Sequence, residues 1–424
     1  MLGAALIAAL TGAAEFNPMV LATKMRTMES TNNMTLQKAL FPEKSFRNEK
    51  MLKAYLDHLP AGLISSFIGG DPKISALTAG YYQNNYVGKW RERIPFTEDD
   101  LEAAFDPVNP TSLLGFRTLV AQAMENINVK IDNRMEWLAA QAAIYGTYTD
   151  DLQGPVTWNI PDIFRLDLND AAADNYTDVR DLPTQYLWTP AALWSDLGTA
   201  NIIQDFEKIN LLITALTGHK VEEYYVPAFV RQYITGNADI KQLLRSDEVR
   251  ELATINAVRN VLSLPKLTEY DDTYMLRYGV VTAAVATATT LVLTGYTDLL
   301  SGDMLIITDK ETGVKQYTSL TATPTTTSVS VSAVDNDVAV GSIIEVRKNP
   351  IPKNYIIGRT SQKSQIIASL PSAINGFPSA MRPGRFAITA TSPWQDEANF
   401  RVTGGYHGGP VIWMPGGFFA VRVA

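Results

Sequence analysis

One long stretch of helical periodicity constrains this chain more than any other feature. From Thr111 to Gly146, apolar side chains recur at steps of three and four residues, which places them on one face of an α-helix. About 33 residues at ~1.5 Å per residue make a helix of roughly 50 Å, longer than a small domain is wide. We therefore expect a spine helix along one side of the molecule, capped by Thr111 or Ser112 and ended by Gly146. Its apolar stripe comprises Leu113, Phe116, Val120, Ala123, Met124, Ile127, Ile131, Met135, Leu138 and Ala142.

The chain before the spine helix divides into an arm and an extended segment. Residues 1–62 form an N-terminal arm with helical pieces, among them MVLATKM and NEKMLKAYLDHL (48–59). The first fourteen residues lack the basic flank of a secretory signal and are too few to span a bilayer, so we expect them to pack as a helix. Residues 63–110 mix aromatic, glycine and basic residues without a helical stripe, which indicates a long extended loop or a two-stranded hairpin.

The extended segment contains the candidate contact residues of the chain. Tyrosines precede the basic stretch KWRER at 89–93, and four acidic residues follow within ten positions. Arginine and aromatic residues are enriched at protein–protein hot spots, so we interpret this stretch as a contact with an acidic protein surface rather than as a nucleic-acid patch. The candidate intersubunit contacts are Tyr81, Tyr82, Lys89, Trp90, Arg91, Arg93, Glu98, Asp99 and Asp100.

After the spine helix, the patterning predicts an α+β chain that an all-β module interrupts. The turn LQGP separates two strands of a hairpin, and a second helix opens at Ser195 and Asp196 and ends at Gly218. Residues 279–348 are rich in Thr and Val with alternating polarity, which favours strands, and their place inside the chain indicates an insertion. The closing stretch GGFFAVRVA is apolar and alternating, so we expect it to be paired in a sheet. The expected domains after residue 110 are 111–219, which holds the spine helix and the hairpin, 220–278, the inserted module 279–348, and 349–424.

Composition removes most catalytic chemistries. The 424 residues include no cysteine, which excludes disulfides, thiolate metal sites and cysteine nucleophiles, and His58, His219 and His407 lie far apart. No P-loop, dinucleotide-binding, nucleophile-elbow or zinc-protease motif is present, and the glycine-rich TGGYHGGP (403–410) predicts a turn between strands. The three pairs of adjacent aspartates suit solvated turns better than acid–base catalysis, because neighbours in a strand point to opposite faces. We expect no enzyme activity, no cofactor and no metal.

Charge is unevenly distributed along the chain. The net charge is −8, residues 111–218 carry −8, and residues 349–424 carry +5. This asymmetry suits a subunit whose acidic face meets a basic face on a neighbour. The overall negative sign argues against a nucleic-acid-binding protein.

Three stretches carry a resemblance to a known family. The end of the family's spine helix resembles IDNRMEWLAAQAAIYGTY at 131–148. Its strand and turn resemble LTEYDDTYM at 267–275, and its apolar C-terminal strand resembles PVIWMPGGFFAVRVA at 410–424. The family is the lambda major head protein E family, within the tailed-bacteriophage major capsid proteins of the Hong Kong 97-type fold. The resemblance covers most of 40–278 and 349–424, whereas the β-rich insert and the long apolar arm depart from it.

This resemblance implies a major capsid protein that self-assembles into pentamers and hexamers of an icosahedral shell around viral double-stranded DNA. Residues 68–100 would reach across a neighbouring subunit, 111–146 would be the spine of a peripheral domain, and 220–278 with 349–424 would build an axial domain. The implied partners are other copies of the chain, together with decoration, scaffold and portal proteins.

The resemblance further implies that DNA is enclosed without sequence-specific binding and that no membrane is involved. The implied location is the virion, after assembly in the host cytoplasm. Two alternatives stay open: another phage structural or adhesion protein with the β module as a sandwich or barrel binding domain, and a carboxylate-based hydrolase.

Overall fold

Six helices and twenty strands make up the regular structure in the described part of this computed structural model. The described residues are 17–28, 35–45, 53–54, 81–82, 89–96, 100, 114–145, 147–148, 158–159, 187–243, 258–260, 264–282, 290–292, 302–310, 312–322, 328–332, 338–361, 366–369, 383–392, 399–411 and 417–423. The helices are α1 Pro18–Thr27, α2 Thr35–Leu40, α3 Leu114–Tyr145, α4 Ile202–Thr217, α5 Ala228–Gly236 and α6 Ala238–Leu243.

The spine helix is α3, and it runs for 32 residues without a break. It ends at Tyr145, next to the predicted stop. Every described residue of the predicted apolar stripe is buried. The helix packs along strand β19 (Asn399–Val411) and against α1 and α2. Its second half is buried on more than one face, because the small side chains of Ala139, Ala140 and Ala143 let neighbouring elements approach closely.

The first sheet is built around one strand of 13 residues, β19. Strands β18 and β4 flank its first part in antiparallel register, with Phe400 opposite Phe96 and His407 opposite Lys89. The end of β19 pairs with β17, which in turn pairs with β1 in parallel. The strands of this sheet are β1 Glu43–Ser45, β4 Lys89–Phe96, β17 Ile366–Ser369, β18 Phe386–Ser392 and β19 Asn399–Val411.

The second sheet has the order β7-β20-β16-β8-β9 and brings distant parts of the chain together. Its core contains a row of aromatic rings: Trp194 and Phe206 lie 5.1 Å apart between centroids, and Tyr224 lies 5.1 Å from Phe206 and 5.8 Å from Phe419. The predicted pairing of the closing apolar strand is confirmed, since β20 lies between β7 and β16. The strands are β7 Leu187–Trp188, β8 Val221–Val226, β9 Lys266–Glu269, β16 Tyr355–Thr360 and β20 Phe418–Arg422.

Two short strand pairs stand outside these sheets. The predicted hairpin after the spine helix is present, with β5 Thr147–Tyr148 antiparallel to β6 Trp158–Asn159. The helix predicted over 48–59 is wrong at its described positions, because β2 Lys53–Ala54 is a strand that pairs with β3 Tyr81–Tyr82. The rest of that stretch and residues 1–16 lie outside the described residues.

Helix α4 begins later than predicted. The Asp196 carboxylate accepts hydrogen bonds from the Gly198 N–H at 3.2 Å and the Thr199 hydroxyl at 2.6 Å, so it closes a turn instead of capping a helix. Asn201 is the cap, since its side chain accepts from the Gln204 N–H. The predicted end is confirmed: Gly218 has φ 69°, the left-handed conformation that favours glycine.

By internal contacts the chain forms two compact units, and the smaller contains Pro227–Phe229 and Glu269–Asn354. It holds a four-stranded sheet of order β10-β15-β12-β13 and the pair β11–β14. Aliphatic side chains such as Leu305, Ile344 and Val346 fill its own core. The strands are β10 Tyr274–Val280, β11 Thr290–Val292, β12 Met304–Thr308, β13 Lys315–Ser319, β14 Ser328–Ser330 and β15 Ile343–Lys348. The α+β class is confirmed.

The glycine-rich stretch TGGYHGGP is not a turn, as the sequence suggested, but the middle of β19. Two of its glycines are needed for close packing rather than for bending. A Cβ on Gly404 would lie 2.9 Å from a methyl group of Ile127 on the spine helix, and a Cβ on Gly405 would lie 2.3 Å from the Trp90 carbonyl oxygen. Glycine in a strand often marks such a close approach of another backbone.

Gly405→Ala should therefore destabilise the larger unit. The new methyl group meets backbone and the Phe386 ring at 2.7 Å, and overpacking of this kind costs about 1–3 kcal/mol. We expect a clear drop in the calorimetric Tm of the purified chain. Gly198→Ala is the matched control, because its nearest neighbour lies 3.7 Å away in an exposed turn. Equal Tm changes in the two variants would contradict the packing argument.

Candidate assembly interface

Strand β4 contains most of the described contact candidates and displays them on two faces. Trp90 and Phe96 are buried, whereas Arg91, Arg93 and Pro95 are exposed. This alternation follows from the two-residue period of a strand. The exposed arginines therefore form a basic row on one face of β4, and among the described strands β4 pairs only with β19.

Trp90 was expected in an intersubunit contact, but its side chain is 6% exposed and anchors β4 within its own chain. Its indole Nε1–H donates to the Gly408 carbonyl oxygen at 3.1 Å. The Arg134 guanidinium lies 5.2 Å from the Trp90 ring centre and 4.4 Å from that of Trp137, distances at which a cation is attracted to the ring face. An ion pair between Glu92 and Lys130 adds a second link to the spine helix.

The remaining candidates are only partly described. Tyr81 and Tyr82 form β3, which pairs with β2, whereas β4 pairs with β19. The two described strands of the extended segment, β3 and β4, therefore do not pair with each other. Asp100 is exposed. Glu98 and Asp99 lie outside the described residues.

A row of polar side chains inside the spine helix was missed at the sequence level. Asn128, Asp132 and Glu136 are buried and follow one another at four-residue spacing, which aligns them on one helix face. Arg385 donates to the side chains of both Asn128 and Asp132. The Arg385 carbonyl oxygen accepts from Arg26 Nε–H at 2.9 Å, so the same residue joins the spine helix to α1.

Glu136 fixes the second arm helix to the spine. Its two carboxylate oxygens accept the backbone N–H groups of Leu36 at 2.7 Å and Gln37 at 2.8 Å. Both donors belong to the first turn of α2, where backbone N–H groups have no partner within the helix and a negative charge is favoured. The repeated spacing of polar residues beside an apolar stripe is the signal that could have revealed this contact.

Another buried carboxylate, Glu223, joins three strands of the second sheet. Its side chain accepts from Lys266 Nζ at 2.6 Å and from the Tyr225 hydroxyl at 2.9 Å, and it lies 3.2 Å from Arg359. Burial alone would raise the pKa of Glu223, but hydrogen bonds from Lys266, Thr268 and Tyr225 outweigh it and hold the pKa below its usual value. The stability that this group contributes is present at neutral pH and is lost as the pH falls through its lowered pKa.

Two of the three histidines considered for catalysis lie in the described part of the chain. His219 is half-buried beside Ser361, with 3.5 Å between Nδ1 and Oγ, His407 is buried in β19, and His58 lies outside the described residues. Within the described part of the chain, no group of three or more His, Asp or Glu side chains could hold a metal ion. None of the helices described is long and apolar enough to cross a membrane.

Comparison with known proteins gives structural similarities only. No family model matches the chain, and neither does any curated protein. It is similar to a protein assigned as the capsid protein of a prophage (E. coli CFT073), with 13% identity and a TM-score of 0.48 over 100% of this chain and 99% of that one. It is also similar to a phage-related protein from Bordetella bronchiseptica RB50, with 11% identity and a TM-score of 0.41 over 96% of each chain.

A third similarity is to the capsid structure of Cyanophage P-SCSP1u, with 9% identity and a TM-score of 0.40 over 94% of this chain and 90% of that one.

Glu136→Ala should release α2 from the spine helix. The substitution leaves the buried Leu36 N–H without its acceptor, and each unsatisfied buried donor costs about 1–3 kcal/mol. We expect faster proteolytic cleavage within 28–45 and a lower Tm, with Glu136→Gln intermediate because its amide oxygen still accepts. Glu125→Ala, which removes an exposed carboxylate from the same helix, is the control. Unchanged cleavage in Glu136→Ala would refute the role given to this carboxylate.

Proposed function

We propose that this chain is a major capsid (head) protein, which self-assembles into pentamers and hexamers of an icosahedral shell around double-stranded DNA. Its location would be the virion, after assembly in the host cytoplasm, and its role would be structural rather than enzymatic. The contacts that matter would be between copies of the chain, with decoration, scaffold and portal proteins as further partners.

The observation that carries this proposal is the way the spine helix collects the rest of the chain. Two arm helices, strand β4 and strand β19 all pack on α3. Its buried polar side chains Asn128, Asp132 and Glu136 are hydrogen-bonded to residues 99 to 257 positions away in the chain. A helix of this length packs against both the arm helices and strand β4 of the extended segment. It thereby provides a rigid frame from which the arm and the extended segment would reach neighbouring subunits. This is the element order that the family resemblance implies.

Charge supports enclosure of DNA without binding to it. A protein that binds DNA tightly neutralises phosphates with lysine and arginine, whereas this chain has 36 Lys and Arg against 44 Asp and Glu. The negative balance keeps packaged DNA from adhering to the subunit through unspecific attraction.

The exposed basic row of β4 generates the first test. Arg91→Glu with Arg93→Glu should impair particle assembly, because both side chains are exposed and would then repel the acidic surface that we expect on a neighbouring copy. Sedimentation of the expressed protein should shift from large particles to small species, while the Tm stays close to that of the unmodified chain.

Lys310→Glu with Lys315→Glu is the charge-matched control, since both lysines are exposed in the smaller unit. It should leave particle yield unchanged. Normal particles from the Arg91 and Arg93 variant would rule out this row as an assembly contact. A chain that stays monomeric under all conditions, even unmodified, would rule out the capsid function itself.

We also propose that the smaller unit is an inserted module that the shell does not need. Its entry and exit are adjacent, because Tyr274 pairs with Lys348 across the β10–β15 ladder and Asn349 Nδ2 donates to the Tyr270 carbonyl oxygen at 2.8 Å. Replacing 272–347 with a short Gly-Ser linker should leave the chain soluble and able to assemble, as judged by electron microscopy of purified particles.

A partial excision is the control for that deletion. Removing 281–342 keeps β10 and β15 but strips away Leu305 and Leu320, which cover Ile344 and Val346 in the unit's core. Exposed apolar strands of this kind favour aggregation. Loss of soluble protein in both deletions alike would show that the unit is integral to the fold.

A further inference from the structure

The smaller unit contains a cleft of about 250 Å³, to which the proposed capsid function assigns no role. It lies between the start of α5, the start of β12, and the end of β15 with the loop beyond it. Three cationic side chains line it, Arg347, Lys348 and Lys353, together with the carboxylates of Asp271 and Asp303. The lining therefore carries a net charge of +1.

The positive charge of the cleft contrasts with the negative net charge of the unit as a whole. Residues 269–354 contain ten carboxylates and six cations, a net charge of −4. Half of those six cations line one cleft. Clustering of like charges is unfavourable unless an anion offsets it. Here Asp303 offsets part of the charge: its Oδ2 lies 3.5 Å from Lys348 Nζ, and its Oδ1 lies 3.5 Å from Lys353 Nζ.

The cations that a second anion can reach are Lys353 and Arg347, which is exposed and donates from Nε to the Thr273 hydroxyl at 3.0 Å. Asp303 is buried and forms an ion pair with each of the two lysines. Lys353 is 36% exposed and carries three N–H donors. Gly302, with φ 86°, lines the same cleft, and a Cβ there would come within 3.4 Å of Lys353 Nζ.

Apolar side chains form the other half of the cleft. Phe229 is 47% exposed and Met304 is 52% exposed, and both line it. Lys353 Nζ lies 4.9 Å from the centre of the Phe229 ring, which orients the ammonium group next to an aromatic surface. Methionine adapts its shape to different partners and is common at binding surfaces.

We propose that this cleft binds a short acidic segment of a partner protein, in which a carboxylate side chain stands next to an apolar one. The carboxylate pairs with Lys353 and Arg347, and the apolar side chain packs on Phe229 and Met304. The volume suits one or two side chains and is below that of typical cofactor sites. A nucleic acid is disfavoured, because its many phosphates would meet the net negative charge of the unit.

The test is fluorescence anisotropy with the full-length protein and a labelled eight-residue peptide of alternating glutamate and leucine. We expect saturable binding that weakens between about 50 and 300 mM NaCl, because the contact is electrostatic. A glutamate–serine peptide and a lysine–leucine peptide should both bind at least about tenfold more weakly, since each lacks one half of the match.

Variants assign the binding to the cleft. Arg347→Ala with Lys353→Ala should weaken binding of the glutamate–leucine peptide about tenfold or more. Lys310→Ala with Lys315→Ala, which removes two exposed lysines of the same unit outside the cleft, should not weaken it. If the first variant fails to fold, Met304→Ser tests the apolar half at an exposed position and should weaken binding as well.

Several results would overturn the proposal. These are equal affinity in the cleft and control variants, no saturable binding of the glutamate–leucine peptide, or displacement of that peptide by inorganic phosphate or acetate at equal concentration. The last result would assign the cleft to free anions instead. Tighter binding of single-stranded DNA than of the peptide would assign it to nucleic acid.

Discussion

The buried carboxylates of the spine helix are the constraint on which the larger unit depends. Asp132 and Glu136 lie one helical turn apart with no exposed surface, and each stays buried because another part of the chain supplies donors. Asp132 accepts a hydrogen bond from Arg385, which directly precedes β18. Glu136 accepts the backbone N–H groups of the first turn of α2. A buried charge whose partner is missing is strongly unfavourable, so the arm, the spine and the first sheet are stable only together.

The packing of these elements also depends on glycines, which let two backbones or a backbone and a side chain approach closely. Gly404 admits Ile127 of the spine helix, Gly405 admits the backbone of β4, and in the second sheet Gly358 lies under the Phe419 ring. At each of these positions a side chain would hold apart two elements that now touch. The exposed arginines of β4 therefore lie on a strand whose opposite face is packed within the same chain.

The elements that the sequence predicted best are those with a strong local period. The spine helix, the hairpin behind it and the apolar strand β20 follow from periodicity and turn residues, and their described parts lie where expected. The glycines of 403–410 were misread because their role depends on neighbours more than 270 positions away in the chain, such as Ile127. The anchoring role of Trp90 was not predictable for the same reason: an aromatic residue beside arginines suits an exposed contact or a buried anchor equally, and its hydrogen bond to Gly408 comes from a residue 318 positions away. The cleft of the smaller unit had no sequence signal, because its cations come from the end of one strand and the loop beyond it.

The position of β20 has a consequence for the timing of biosynthesis. Among the described strands, β7 pairs only with β20, yet the two are separated by about 230 residues of chain. At a translation rate of roughly 5–20 residues per second, β7 waits on the order of 10–50 s for its neighbour, and β16 lacks one of its two partners for as long as β20 is missing. The second sheet closes only when nearly all of this sequence has left the ribosome. A nascent chain therefore completes the second sheet only after β20 is synthesised, and any association that depends on this sheet begins after that point.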